Sequence, residues 1–296
     1  MNGTQRLLTV CASHSPGMAR DHDRVHGAVF REGLATARDH IERFDPELVV
    51  AFGSDHRRTF TSIIPAVCII AGATGLGDFG SPAGEYRVPA PLAEDLAGGL
   101  LEAGIDVAVA RGVELDHGFG QTIGDLLGSL DRYPIVPIYI NCATPPLAPV
   151  ARVAALARAL RPLLPQDRRV LALGSGGLSH SPPSLRQPLG ALTDEERRRL
   201  NTEGFAEAQR WISPEWDARF LAALEHNDQA WLEGLTESDI APAGVGANEV
   251  RTWVAAQALG NHEMATLAYE PVPDWITGVG VAVSSWAAAS APAAPR

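Results

Sequence analysis

The strongest constraint on how this chain can fold is an alternation of short apolar runs with longer helical patterns over its first 180 residues. RLLTVCAS, ELVVAFGS, SIIPAVCIIAG, IDVAVARG, PIVPIYIN and RRVLALGS are rich in Val, Ile and Leu and read as strands. Between them, Leu34, Ala37, Ile41 and Phe44 mark one helix face, and Val150, Val153, Leu156, Leu160 and Leu163 mark another. This predicts an α/β fold with a central, largely β-sheet core flanked by helices. From about residue 193 the pattern turns mostly helical, and ATLAYEPV and TGVGVAVSS supply two closing strands. Residues 1–283 are expected to form a single domain. The Ala/Pro tail 284–296 is low in complexity and expected to fray. No internal repeat is present; the tetrapeptide SHSP occurs twice, at 13–16 and 179–182, without wider similarity around it.

Both copies of SHSP follow an apolar run, which draws attention to the histidines. Of nine, His22, His26, His40, His226 and His262 lie among polar neighbours and call for no special explanation. His14, His56, His117 and His180 share another setting, in CASH, FGSDH, ELDHG and GGLSH, each at the end of a strand-like stretch or in the loop after it. Ligands of α/β sheets gather beyond the carboxyl ends of the strands. One histidine there is usually structural; four delivered to one edge point to a metal or acid–base site. HExxH and GxSxG are both absent, which weighs against a zinc protease and a serine hydrolase, although Ser54 and Ser175 lie in GSDH and GSGG. GLGDFG at 75–80 matches GxGxxG, but the prolines after it deny the helix that would hold a pyrophosphate, so it reads as a flexible loop near the cleft. Two imidazoles and one carboxylate would leave open positions on Fe(II) for substrate and oxygen. Spacing alone does not choose the carboxylate among 35 acidic residues.

A net charge of −11 argues against a nucleic-acid partner, whose phosphates would need Lys and Arg. No stretch approaches the roughly 18 apolar residues of a membrane span, and the N-terminus lacks a convincing signal sequence. Cys11, Cys68 and Cys142 are dispersed in strand-like segments, which suits buried thiols in a reducing compartment and makes the cytoplasm the expected location.

Read in order, ASHSP, ELVVAFGSDH, GATGLGDFGSPAGE, DHGFGQ, PIYIN, GSGGLSHSPP, NEVRTWVAA and PVPDWITGVG resemble the class III (LigB-type) extradiol catechol dioxygenases, from residue 6 to about 283. The resemblance implies that His14, His56 and Glu249 bind Fe(II), with Glu249 on a helix beginning at Ala247 or Asn248. It implies that His180 accepts a proton and His117 donates one. The expected reaction inserts both atoms of O2 into a 3-substituted catechol, 3-(2,3-dihydroxyphenyl)propionate or a similar acidic one, giving a 2-hydroxy-6-oxo-dienoate; a homo-oligomer is also expected. Asp55 and Asp116, each next to one of the histidines, are candidates to orient imidazoles. The chain departs from the family pattern at Arg57-Arg58, a pair able to clamp a substrate carboxylate, and in a shorter segment after SHSPP. The alternatives are a zinc-dependent hydrolase or isomerase using the same histidine cleft, and a scaffold that has lost turnover.

Overall fold

The computed structural model describes residues 6–187 and 192–289. Among these, eight strands form the main sheet: β1 (Leu7–Ala12), β2 (Leu48–Gly53), β3 (Val67–Ile70), β6 (Ala108–Ala110), β8 (Ile135–Ile140), β9 (Val170–Ser175), β10 (Met264–Val272) and β11 (Thr277–Ser284). Their spatial order is β10-β11-β1-β9-β2-β8-β3-β6. The run β1-β9-β2-β8 is parallel, while β11 joins β1 and β3 joins β8 antiparallel. Every residue of β2, β8 and β9 is buried, as expected of central strands covered on both faces.

Helices cover those faces. Ala28–Phe44 and His117–Leu127 lie on one side, with Leu34, Ala37, Ile41, Phe119 and Ile123 in the core beneath them. Ala90–Glu102, Val150–Leu160 and Val250–Gly260 lie on the other. All residues of Val250–Gly260 are buried, so this helix has no solvent face; Phe220, Leu224 and Leu232 of the helical C-terminal region belong to the same core. It comes close to β9 because the strand end is stripped of side chains. A Cβ at Gly174 would stand 2.9 Å from the Thr252 carbonyl oxygen, and one at Gly176 would stand 2.7 Å from the Glu249 Cβ.

Four expectations need amendment. SIIPAVCIIAG becomes a strand only at Val67–Ile70; Pro65 cannot donate to a ladder, and Ile63 is 81% exposed. GLGDFG is built into structure instead of forming a loose loop: β4 (Ala73–Leu76) pairs with β5 (Ala83–Glu85) and β7 (Val113–Leu115) in a second sheet, and Asp78–Gly80 forms a 3-10 turn. Strands of three or four residues carry too little periodicity to be seen in sequence. The helix expected from Ala247 or Asn248 is a 3-10 turn over Val245–Glu249 that becomes α-helical at Val250. The ordered fold also passes residue 283: Ser284 closes β11 and Ser285–Ala289 forms a short helix, while 290–296 lie outside the described residues. The three cysteines are buried and free, and burial pushes their thiols up. Among the described residues no helix is long and apolar enough to cross a membrane.

Candidate metal centre

Because β9 lies between β1 and β2 with all three parallel, their carboxyl ends emerge side by side. His14 follows β1, His56 follows β2, and the 176–180 loop follows β9. The two SHSP segments are pinned to the same strand. Ser13 exchanges two hydrogen bonds with Gly280 of β11, and the Ser179 carbonyl accepts from the Gly278 N–H. They then diverge. In the first copy Ser15 caps the helix Pro16–Arg20 through its hydroxyl, and Pro16 sits in the first turn, where a missing N–H costs nothing. In the second copy the chain makes a bridge from His180 to Thr277 and starts no helix.

Three donor atoms converge beyond the strand ends. His14 Nε2 and His56 Nε2 are 3.4 Å apart, His56 Nε2 is 3.0 Å from Glu249 Oε1, and His14 Nε2 is 3.7 Å from Glu249 Oε2. Their tautomers are set from behind. The Ser175 hydroxyl donates to the Gly118 carbonyl, so its oxygen accepts from His14 Nδ1–H at 3.1 Å. The Asp116 carboxylate accepts from His56 Nδ1–H at 3.0 Å. Each neutral ring therefore presents a lone pair at Nε2 to the common point, the form a metal requires.

The electrostatics of the donors call for a cation. Burial pushes His14 down to about 3, against the pull of Glu249, so this ring is neutral. Burial pulls His56 the same way, but the Asp116 and Glu249 carboxylates outweigh it and raise this ring well above its ordinary range. Burial opposes ionisation of Glu249, yet the neighbouring His14 and His56 hold its carboxyl below the usual range, and Oε2 also accepts from the Gly177 N–H at 2.6 Å. Two imidazoles and an ionised carboxylate, buried and mutually within 3.7 Å, fit a divalent metal with open positions.

His117 also brings a nitrogen within 4.8 Å of those of His14 and His56. Its ring is stacked on His56, with centroids 4.2 Å apart and planes 16° from parallel. In-plane lone pairs of stacked rings run side by side and do not meet at one ion. His14, by contrast, stands 89° to His56. His117 arrives from β7 of the second sheet, not from the main sheet edge, and its Nδ1–H donates to Asp78 Oδ2 at 2.7 Å. Asp78, in the GLGDFG segment, has no local signature in the sequence beyond being an acid in a glycine-rich turn. His180 donates from Nδ1 to the Leu178 carbonyl at 2.8 Å and places Nε2 4.0 Å from Glu249 Oε2.

The acids and arginines singled out in sequence fall differently than expected. Asp116 orients His56, not its neighbour His117, whose Nδ1 is 4.0 Å away. Asp55 reaches no imidazole; its carboxylate accepts from the backbone N–H groups of Arg58, Thr59 and Phe60 and shapes that loop. The pair expected to clamp a carboxylate is divided. Arg57 directs its guanidinium to the carbonyls of Ala143, Leu185 and Gln187, away from the cleft wall. Arg58 does line the cleft, 3.6 Å from Asp78 and with its guanidinium over the Phe79 ring.

The cleft has a volume of about 880 Å³. His14, His56, His117 and His180 all lie on its wall, together with Phe79, Phe205 and Trp275. Four arginines, Arg20, Arg58, Arg197 and Arg198, line it against two aspartates, Asp78 and Asp274, so a molecule of net charge −11 keeps a cationic pocket.

The chain resembles known proteins over most of its length. The chain is 41% identical to a 2,3-dihydroxyphenylpropionate/2,3-dihydroxicinnamic acid 1,2-dioxygenase of Paraburkholderia xenovorans, over 93% of this chain and 96% of the relative. It is 39% and 38% identical to proteins of the same name from Klebsiella pneumoniae and Escherichia coli, each over 91% of this chain and 96% of the relative. The crystal structure of an uncharacterized Escherichia coli K12 protein superposes with a TM-score of 0.56, covering 94% of this chain and 99% of that one; at 14% identity it speaks for the fold alone. The family model described as the catalytic LigB subunit of aromatic ring-opening dioxygenase matches residues 8–280, and the chain belongs to that family.

Proposed function

We propose that this protein is an Fe(II)-dependent extradiol dioxygenase that opens the ring of a catechol carrying an acidic substituent, with His14, His56 and Glu249 as the metal ligands. The observation that carries this reading is the convergence of those three donors within 3.0–3.7 Å at the foot of a cationic, aromatic-walled cleft. The curated relatives bear the names of dioxygenases acting on catechols with three-carbon acid side chains. Ferrous iron in this site would supply adjacent open positions for the two catechol oxygens and O2, and a path for electrons from ring to oxygen.

The chain's own groups account for the protons. In the neutral His180 ring Nδ1 is the donor to Leu178, so Nε2 carries a lone pair and accepts the proton that a catechol hydroxyl gives up on binding. His117 has a carboxylate at its far nitrogen, and Asp78 can balance the charge of the protonated ring, so this residue would supply the proton that one oxygen atom takes up before it, too, is incorporated into the product. Asp78 is itself held below the usual carboxylate range: burial works against this, and the His117 hydrogen bond outweighs it. Both oxygen atoms enter the product, and the ring opens beside the hydroxyl pair to a 2-hydroxy-6-oxo-dienoate. The substituent's carboxylate faces the arginines of the cleft wall.

Anaerobic reconstitution with Fe(II), followed by a panel of catechols, tests the reading. One O2 consumed per catechol with a yellow ring-opened product is expected. Absence of oxygen uptake by iron-loaded protein overturns it.

A further inference from the structure

The chemistry proposed above makes no use of Asp217, yet this carboxylate is completely buried in the helix Pro214–Glu225. A buried carboxylate is costly unless hydrogen bonds replace its water. Asp217 has three such bonds, and two come from one residue. Oδ1 accepts from the Ser179 backbone N–H at 2.8 Å, and Oδ2 from the Ser179 hydroxyl at 2.6 Å and from the Tyr269 hydroxyl at 2.8 Å. The Ser179 oxygen in turn accepts from the Ser213 N–H at 2.8 Å, just before the same helix. Among the described residues no arginine pairs with Asp217, and the chain has no lysine. It is held by neutral donors, and its principal attachment is the residue before His180.

The surroundings are shaped for this attachment. A Cβ at Gly278 of β11 would lie 2.2 Å from Asp217 Oδ2, so only glycine admits the carboxylate there. Gly278 also brackets the loop, accepting from the Leu178 N–H at 3.1 Å and donating to the Ser179 carbonyl at 2.9 Å. Ser179 is thus fixed between the strand and the helix. His180 inherits that position. Its N–H donates to the Ala243 carbonyl and its carbonyl accepts from the Gly246 N–H. Its ring lies against two glycines: a Cβ at Gly177 would be 2.6 Å from Cε1, and one at Gly246 would be 2.2 Å from Nε2. The ring nitrogen away from the cleft is bound only to the carbonyl two residues before it. Among the described residues no side chain hydrogen-bonds to the imidazole, the Glu249 carboxylate standing 4.0 Å from Nε2, so the ring's aim follows the backbone at 178–180.

From this we infer that Asp217 is a positioning residue for His180, which rests on the reading of His180 as the proton acceptor. It touches neither metal ligand nor cleft; it sets where the acceptor nitrogen stands by clamping Ser179 at both its N–H and its hydroxyl. Displacement of a reacting group by about 1 Å is enough to cost on the order of 10²-fold in rate.

The test is a double-mutant cycle on the iron-loaded protein. Asp217→Asn is expected to keep its metal content and a KM within about threefold, and to lose about 10–100-fold in kcat. In a His180→Ala background the same substitution is expected to change kcat by less than about twofold, because the group it positions is gone. Tyr269→Phe, which leaves both Ser179 bonds in place, is expected to cost no more than about threefold. Should Asp217→Asn fail to accumulate as folded protein, Ser179→Ala takes its place in the cycle with the same expected non-additivity. Wild-type kcat in Asp217→Asn, or a loss that multiplies in full with that of His180→Ala, overturns the inference while leaving the dioxygenase reading intact. Near-normal turnover in His180→Ala overturns the role assigned to His180 and this inference with it.

Discussion

Asp116 and His56 stand 60 positions apart, and one carboxylate oxygen of Asp116 accepts from both the backbone N–H of His56 at 2.9 Å and its Nδ1–H at 3.0 Å. The other oxygen caps the helix His117–Leu127 through the Gly118 N–H. Burial opposes the charge, but His56 and His117 hold this carboxyl far below the ordinary range. One acid thus fixes the tautomer of one imidazole and starts the helix that carries another.

Asp116→Asn should therefore weaken metal binding by about 10–100-fold, the usual cost of losing an acid behind a ligating histidine. Asp55→Asn, which disturbs only a loop, should leave affinity within a few-fold. Anaerobic metal titration measures both; equal affinities would remove Asp116 from the centre.

The five residues of the candidate centre should separate into two groups. His14→Ala, His56→Ala and Glu249→Ala are expected to lose the metal, whereas His117→Ala and His180→Ala keep it with turnover reduced by about 10²–10⁴-fold. Metal analysis beside steady-state rates provides the check, and full occupancy in any of the first three contradicts the ligand assignment.

Stability of the metal-free protein should peak near the ordinary histidine range. His56 is raised in the fold, so its contribution is fully present below its unfolded value of about 6.5 and is lost as pH rises through the folded value. His14 is lowered to about 3, so its contribution is present above about 6.5 and is lost as pH falls toward 3. The two signs oppose, giving a maximum between them. With His56 as a metal ligand, as proposed, the metal would take the place of its proton, so Fe(II) under nitrogen should flatten the alkaline limb of Tm against pH. An apo Tm that rises steadily from pH 6 to 9 would contradict this.

Arg57 and Arg198 should act differently. Arg57→Met removes hydrogen bonds to three carbonyls and should lower Tm, while reducing kcat/KM equally for acidic and neutral catechols. Arg198→Gln, on the cleft wall, should lower kcat/KM for a catechol propionate by about tenfold and leave 3-propylcatechol unchanged. Rates on the paired substrates decide; an unchanged ratio in Arg198→Gln would place the carboxylate elsewhere.

Much of the scaffold is written locally. The apolar runs that become β1, β2, β8 and β9 and the buried faces of Ala28–Phe44 and Val150–Leu160 follow from residue type and spacing, because burial of a strand or helix face depends on a few neighbours along the chain. His14, His56 and His180, just beyond the ends of β1, β2 and β9, are legible for the same reason; His117 instead follows β7 of the second sheet. The second sheet was not, since its strands are too short for a period to register and glycine punctuates them.

What only the tertiary structure decided is which side chains meet. Placing β9 between β1 and β2 sets His14 and His56 3.4 Å apart, and the bare glycines at the end of β9 let one helix bring Glu249, out of 35 acids, to the same point. Asp78 joins His117, Asp116 crosses to His56, and Asp217 reaches Ser179 across 38 positions. Local sequence determines which segments bury and how they turn; the contacts between their ends depend on strand order and on how closely backbones can approach, properties that belong to the assembled sheet.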